Sequence, residues 1–233
     1  MRLNIVQRPS PNHDARAEGA TDILVMHYTG MGTAEEALQR LCDPEAKVSS
    51  HYTVDRDGTV YQHVDESRRA RHAGVSYWAG VRDVNSRSIG IEIVNPGHEF
   101  GYIPFADPQI AAVIALSQDI LARHAIPASR VVGHSDVAPD RKQDPGELFP
   151  WPELAAGGVG LWPRQIVSGS AWDAQSFAEN LRRYGYGVPP DVDWPLADVV
   201  AAFQRHFRPS CITGIPDAEC AAILCALLEA VTQ

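Results

Sequence analysis

The sequence predicts an α/β domain followed by a small all-helical unit, and three observations carry that assignment. Strand-like and helix-like segments alternate through residues 1 to about 160, as expected of a sheet with helices packed on it. A turn pair, Asp57-Gly58, sits between two runs of alternating apolar residues and marks a hairpin. Beyond the Gly-rich run AAGGVGLWP (155–163), only helix-period segments remain, broken by glycine and proline. A length of 233 residues suits one full domain and a smaller companion, here divided as 1–160 and 165–233.

Taken in order, ILVMHY (23–28) reads as a buried strand that ends at polar Thr29 and Gly30. TAEEALQRL (33–41) reads as a helix with Thr33 as N-cap and Glu36 three positions on, a capping box. HYTVDRDGTVYQHV (51–64) is the hairpin, with Asp57-Gly58 suited to a tight turn. SIGIEIVN (88–95) is a second strand, with Ile89, Ile91 and Ile93 on one face. Pro108 opens a long helix whose apolar residues at 110, 113, 114, 116, 120 and 121 form a stripe. VVGHSD (131–136) is a short strand running into a loop. Three helices are expected near 174–184, 196–206 and 217–231.

Composition excludes several classes. The formal charge is −9, from 20 Lys and Arg against 29 Asp and Glu. Neither part of the chain is basic, which argues against nucleic acid or an anionic membrane surface as partner. No apolar run approaches the ~20 residues of a membrane span. The four cysteines (Cys42, Cys211, Cys220, Cys225) form no C-x-x-C pair and read as reduced thiols. The opening MRLNIVQRPSPNHD lacks the apolar core of a signal peptide. A cytoplasmic location is expected for the sequence as written, and a periplasmic or envelope one if an export signal has been removed.

Nine histidines invite a metal hypothesis, although no H-E-x-x-H is present. His27 ends one strand, His134 ends another, and Asp144 lies ten residues further on before Pro145-Gly146. Two imidazoles and a carboxylate are a normal three-ligand set for zinc, leaving a fourth position for water. A single histidine at a strand end is more often a satisfied core or surface residue, so spacing alone does not decide for the metal. Glu92 interrupts an apolar strand on the face opposite the isoleucines. There it is either a partly desolvated general base or an exposed position on a half-buried strand. Lys142 shares a side with Asp144 if RKQD is extended, and is either an oxyanion stabiliser or a solvated loop cation.

The sequence resembles a known family on motifs that cover most of residues 20–155. They are VMHYTG (25–30), VSSHYTVDRDGTVYQHV (48–64), RHAGVSYW (71–78), NSRSIGIEIVN (85–95), VVGHSDVAPDRKQDPG (131–146) and FPW (149–151). These resemble the zinc-dependent N-acetylmuramoyl-L-alanine amidases of the type 2 group, the AmpD- and AmiD-like enzymes related to peptidoglycan recognition proteins. LRRYGYG (181–187) and VVAAFQRHFRP (199–209) resemble the three-helix peptidoglycan-binding domain carried by some of them.

The resemblance implies a mixed central sheet flanked by helices, one zinc ion per chain, and cleavage of the amide joining N-acetylmuramic acid to L-alanine. It places the zinc ligands on His27, His134 and Asp144, the acid/base carboxylate on Glu92 and the catalytic lysine on Lys142. His72, in the H-A-G motif, is implied to line the substrate groove, with Arg71, Trp78 and Asn85 as further substrate contacts and His51 in support. Arg71 departs from the pattern, since an aromatic residue often precedes H-A-G; the departure bears on subsite preference. The cations of the 68–87 stretch (Arg68, Arg69, Arg71, Arg82, Arg87) are either carboxylate readers for the stem peptide or a solvated rim, and Tyr77 and Trp78 either stack on substrate or pack. His13, His63, His98, His124 and His206 match no functional position. The competing reading is a non-catalytic module that binds muropeptide, which loss of a zinc ligand would mark; all three are present.

Overall fold

The computed structural model describes residues 3–17, 19–163, 166 and 172–232. Its strands are β1 (Ile5–Gln7), β2 (His13–Ala15), β3 (Ile23–Tyr28), β4 (Tyr52–Val54), β5 (Val60–Gln62), β6 (Arg68–Ala70), β7 (Ser88–Ile93) and β8 (Val131–Gly133). Its helices are α1 (Ala34–Cys42), α2 (Val84–Arg87), α3 (Gly97–Phe100), α4 (Asp107–Arg123), α5 (His134–Val137), α6 (Trp151–Ala156), α7 (Ala174–Tyr184), α8 (Leu196–Phe207) and α9 (Ala218–Thr232). Six strands form a mixed sheet in the order β1-β5-β4-β7-β3-β8, and β2 pairs with β6 in a separate two-stranded ribbon. The buried centre, β4-β7-β3-β8, is parallel throughout, while β4 and β5 form the antiparallel hairpin.

Alternation along β3 and β7 decides which side chain faces which layer. Leu24, Met26, Ile89, Ile91 and Ile93 face α4, where Ile110, Val113, Leu116 and Ile120 complete one apolar cluster. Ile23, Val25 and Val132 lie in a second cluster with Trp78, Val84 and Val137. Phe177, Leu181, Val199, Phe203, Leu224 and Leu227 of the three C-terminal helices belong to that same cluster. The expected start of a separate helical unit at residue 165 lies outside the described residues. The helices beyond it share a continuous core with the sheet.

Local chemistry explains the other elements. Thr33 Oγ1 accepts from Glu36 N–H, and the Glu36 carboxylate accepts from Thr33 N–H, closing the capping box of α1. The hairpin turn is wider than a two-residue one. Asp55 N–H donates to Thr59 O and Gly58 N–H donates to Asp55 O, giving a three-residue loop with Gly58 at φ 88°. VVGHSD does not run into a loop: residues 134–137 form the helical turn α5, closed by Ala138 N–H donating to His134 O at 3.0 Å. No helix among the described residues is long and apolar enough to cross a membrane. All four cysteines are unpaired.

Candidate metal centre

The parallel pairing of β3 with β8 sets Met26 beside Gly133, so the next residues, His27 and His134, emerge together at the strand ends. Ser135 N–H donates to Asp144 O at 2.9 Å and draws the 138–147 loop onto the same spot. His27 Nδ1, His134 Nδ1 and Asp144 Oδ2 stand 3.0 Å from one another, and all three residues are buried. A tetrahedral centre with zinc–ligand bonds near 2.0 Å spaces its ligands about 3.3 Å apart, close to this triangle.

The hydrogen bonds behind the triangle show what the three atoms offer. Val84 O can only accept, so the Ser88 hydroxyl, 2.6 Å away, donates to it. Ser88 Oγ then accepts from His72 Nε2–H at 3.2 Å, which leaves His72 Nδ1 as an acceptor. His72 Nδ1 accepts from His27 Nε2–H at 3.0 Å, so His27 Nδ1 carries a lone pair. His134 Nε2–H donates to Ala73 O at 3.2 Å, leaving its Nδ1 a lone pair as well. Two imidazole lone pairs and a carboxylate oxygen therefore converge with no hydrogen between them. Such a set calls for a cation. Burial and the neighbouring His134 push the His27 imidazole down to about 4, which keeps it neutral as a ligand.

His72 reaches this position because residue 90 is glycine. A Cβ there would lie 2.5 Å from the His72 ring. His51 backs the arrangement: its Nδ1 accepts from Gly90 N–H at 3.0 Å, and its ring stands edge-on to His72 at 5.7 Å.

Glu92 pairs with His27 across β7 and β3 and projects from the same sheet face. Its Oε2 is buried without a hydrogen-bond partner. Burial pushes the carboxyl well above its ordinary range, the Asp144 charge adds to this, and Lys142 opposes it. Glu92, Lys142, His72 and the ligand trio all line one cavity of about 820 Å³. An unpaired carboxylate with a raised pKa beside a cation site is the arrangement of a general base.

Not every expected contact is there. Trp78 does not reach the cavity: it is buried, edge-on to Tyr186 at 4.8 Å and Tyr184 at 6.1 Å, so it packs the core. Asn85 is buried too. Its Oδ1 accepts from His72 N–H at 3.0 Å and Ala73 N–H at 2.8 Å, so it orders the H-A-G segment from behind the cavity wall. Arg71 lines the cavity, but its guanidinium is held bidentately by Asp14. Arg69 pairs with Asp14 and Asp83, and Arg87 with Asp22, so these two cations are engaged in the fold. Arg82 donates to Asp191 O and sits over the Tyr77 ring. Arg40 and Arg141 line the cavity and were not expected. Arg141 Nη2 is tied to Ala73 O and Val75 O, whereas Arg40 is exposed on α1, a helix read only for its caps.

A family model described as N-acetylmuramoyl-L-alanine amidase matches residues 17–147, which include every residue of the trio together with Glu92 and Lys142. The chain belongs to that family. It is 42% identical over 230 residues to N-acetylmuramoyl-L-alanine amidase AmiD of Escherichia coli, covering 89% of this chain and 82% of that protein. It is 35% identical to the 1,6-anhydro-N-acetylmuramyl-L-alanine amidase AmpD of Enterobacter cloacae over 64% of this chain and 87% of that one. Among solved structures, E. coli AmiD in complex with anhydro-N-acetylmuramic acid-L-Ala-D-gamma-Glu-L-Lys superposes with a TM-score of 0.83 at 40% identity, covering 93% and 92% of the two chains. AmpDh3 of Pseudomonas aeruginosa, in complex with anhydromuramic pentapeptide, gives 0.83 at 34% identity, covering 92% and 94%. These likenesses span the amidase core and, for AmiD and AmpDh3, the helical tail as well.

Proposed function

We propose that this amidase hydrolyses the amide between the lactyl carbonyl of N-acetylmuramic or anhydro-N-acetylmuramic acid and the L-alanine of the stem peptide, using one zinc ion per chain. The observation that carries the reading is the convergent acceptor triangle of His27, His134 and Asp144 with the unpaired Glu92 carboxylate beside it. The family is generally zinc-dependent, and the solved relatives hold anhydromuramyl peptides.

The metal, when bound, polarises the scissile carbonyl and lowers the pKa of water toward neutrality. Glu92 accepts a proton from the attacking water as the C–O bond forms. It then returns that proton to the leaving nitrogen as the C–N bond breaks, so no net charge is left on the protein. Lys142 places a positive charge beside the carbonyl oxygen, where negative charge develops. His72 and Ser88 keep His27 in the tautomer that offers Nδ1. The core-forming residues of the tail that carry its resemblance to peptidoglycan-binding helices, Leu181, Tyr184, Tyr186 and Phe203, are buried, so they support a helical fold more directly than a glycan-contacting surface.

Chelation and reconstitution test the reading. Protein stripped of metal should not cleave an anhydromuramyl peptide, and stoichiometric zinc should restore turnover. His134→Ala should neither retain zinc nor respond to it. Full turnover by the stripped protein would remove the basis for the site.

A further inference from the structure

Asp136 follows the ligand His134 by two residues and is completely buried. Its carboxylate has three partners. Gly133 N–H donates to Oδ2 at 2.7 Å and ties the carboxylate to the end of β8. The other two come from the helical tail: His206 Nδ1–H donates to Oδ2 at 2.7 Å, and Tyr186 Oη donates to Oδ1 at 2.6 Å. Both donors are locked in place. The His206 ring stacks on Trp151 with centroids 3.8 Å apart, and Tyr186 is enclosed by Trp78 and Phe203. His206 matches no functional position by sequence, yet it reaches the turn that carries a ligand.

That turn controls two of the three ligands. α5 begins at His134 itself, and its Ser135 N–H donates to the backbone carbonyl of Asp144 at 2.9 Å. A shift of α5 therefore moves His134 and loosens Asp144 together. Without its tail donors the buried carboxylate keeps only the Gly133 N–H of its three hydrogen bonds and must draw in water, which displaces the turn. We infer that the helical tail is a positioning element of the metal centre: Tyr186 and His206 hold Asp136, and Asp136 holds the turn that aims His134 and anchors Asp144. The inference rests on the metal site proposed above. Its content is that the tail, 50 and 70 residues away in sequence, sets metal affinity without touching metal or substrate.

The test uses the full chain and reads metal binding apart from turnover. Affinity is measured by competition with a chromophoric chelator, and geometry by the visible absorption of the Co2+-substituted protein, well below the Tm of each variant. Tyr186→Phe removes one hydroxyl and keeps the ring; it should weaken metal binding by about 10- to 100-fold and alter the Co2+ spectrum, the scale for loss of an outer hydrogen bond at a metal site. His206→Ala should do the same, and His206→Asn, which keeps a donor near the Nδ1 position, should recover part of the loss. Leu227→Ala, a buried tail substitution with no bond to Asp136, should lower Tm while leaving affinity and spectrum unchanged. Wild-type affinity and spectrum in Tyr186→Phe and His206→Ala would overturn the inference. So would an equal loss in Leu227→Ala. A wild-type protein that takes up no metal would instead overturn the site assignment, and this inference with it.

Discussion

Glu92→Gln separates the base from the metal site. The substitution keeps size and polarity but removes the proton acceptor, so zinc occupancy should stay full while kcat falls by roughly 100-fold or more. A 100-fold loss is about 2.7 kcal/mol of transition-state stabilisation. The structure adds a second readout of opposite sign. Burial raises the folded-state pKa of Glu92 above its unfolded value, so the folded protein binds the proton more tightly than the unfolded chain. Stability from this group is complete below the ordinary carboxylate pKa and is lost as pH rises toward the raised value. Metal-free Glu92→Gln should therefore melt at higher temperature than the metal-free wild type at pH 7, and the gap should close below about pH 4. The assays are steady-state cleavage of a purified anhydromuramyl peptide, zinc content by mass spectrometry, and thermal melting in chelator across pH. Near-normal kcat would move the base elsewhere. A lower Tm at pH 7 would contradict the unpaired, desolvated carboxylate.

Lys142→Met keeps the aliphatic stem and removes the charge. It should cut kcat by about two to three orders of magnitude, as for loss of an oxyanion donor. Because Lys142 lowers the Glu92 pKa, the acid limb of the kcat–pH profile should also move to higher pH; a change in KM alone would make Lys142 a substrate clamp. Ser88→Ala leaves His72 Nε2–H without its acceptor, and chelator competition should show a 10- to 100-fold loss of metal affinity. Unchanged affinity would mean that the His27 tautomer is set by other contacts. Ending the chain at Gly160 uncovers Ile23, Val25, Val132 and Val137, so the product should be poorly soluble or melt well below the full chain in calorimetry. A soluble fragment with wild-type Tm would show that the sheet does not need the tail's cover.

Much of the fold is legible because its decisive segments have strong local patterns. ILVMHY and SIGIEI are short, largely apolar runs, as expected of strands buried on both faces of the sheet, and Thr33 with Glu36 signals the start of α1. β1, β2 and β6 are three-residue segments whose side chains, buried Ala70 apart, are polar or exposed. Backbone pairing to distant strands makes them, and no periodicity announces it. The metal trio is legible through the family motifs, and its geometry follows from the adjacent ends of β3 and β8. Motif membership does not reveal side-chain direction, however. Trp78 and Asn85 belong to the motifs that carry the resemblance but point into the core and the backbone. Gly90 inside an apolar strand was the local signal that another group must approach closely, and the group is His72. Nothing local could have joined Asp136 to Tyr186 and His206, since that contact exists only once the tail has packed on the sheet.

The central claim is that this cavity cuts one particular amide. Mass spectrometry of a digest of anhydro-N-acetylmuramyl tripeptide by zinc-loaded protein in H2(18)O tests it directly. The account predicts two products, a free stem peptide beginning at L-alanine and an anhydro-N-acetylmuramic acid whose lactyl carboxylate carries the heavy oxygen, with neither product formed by His134→Ala. Intact substrate, cleavage at another bond, or label appearing in the peptide would contradict it.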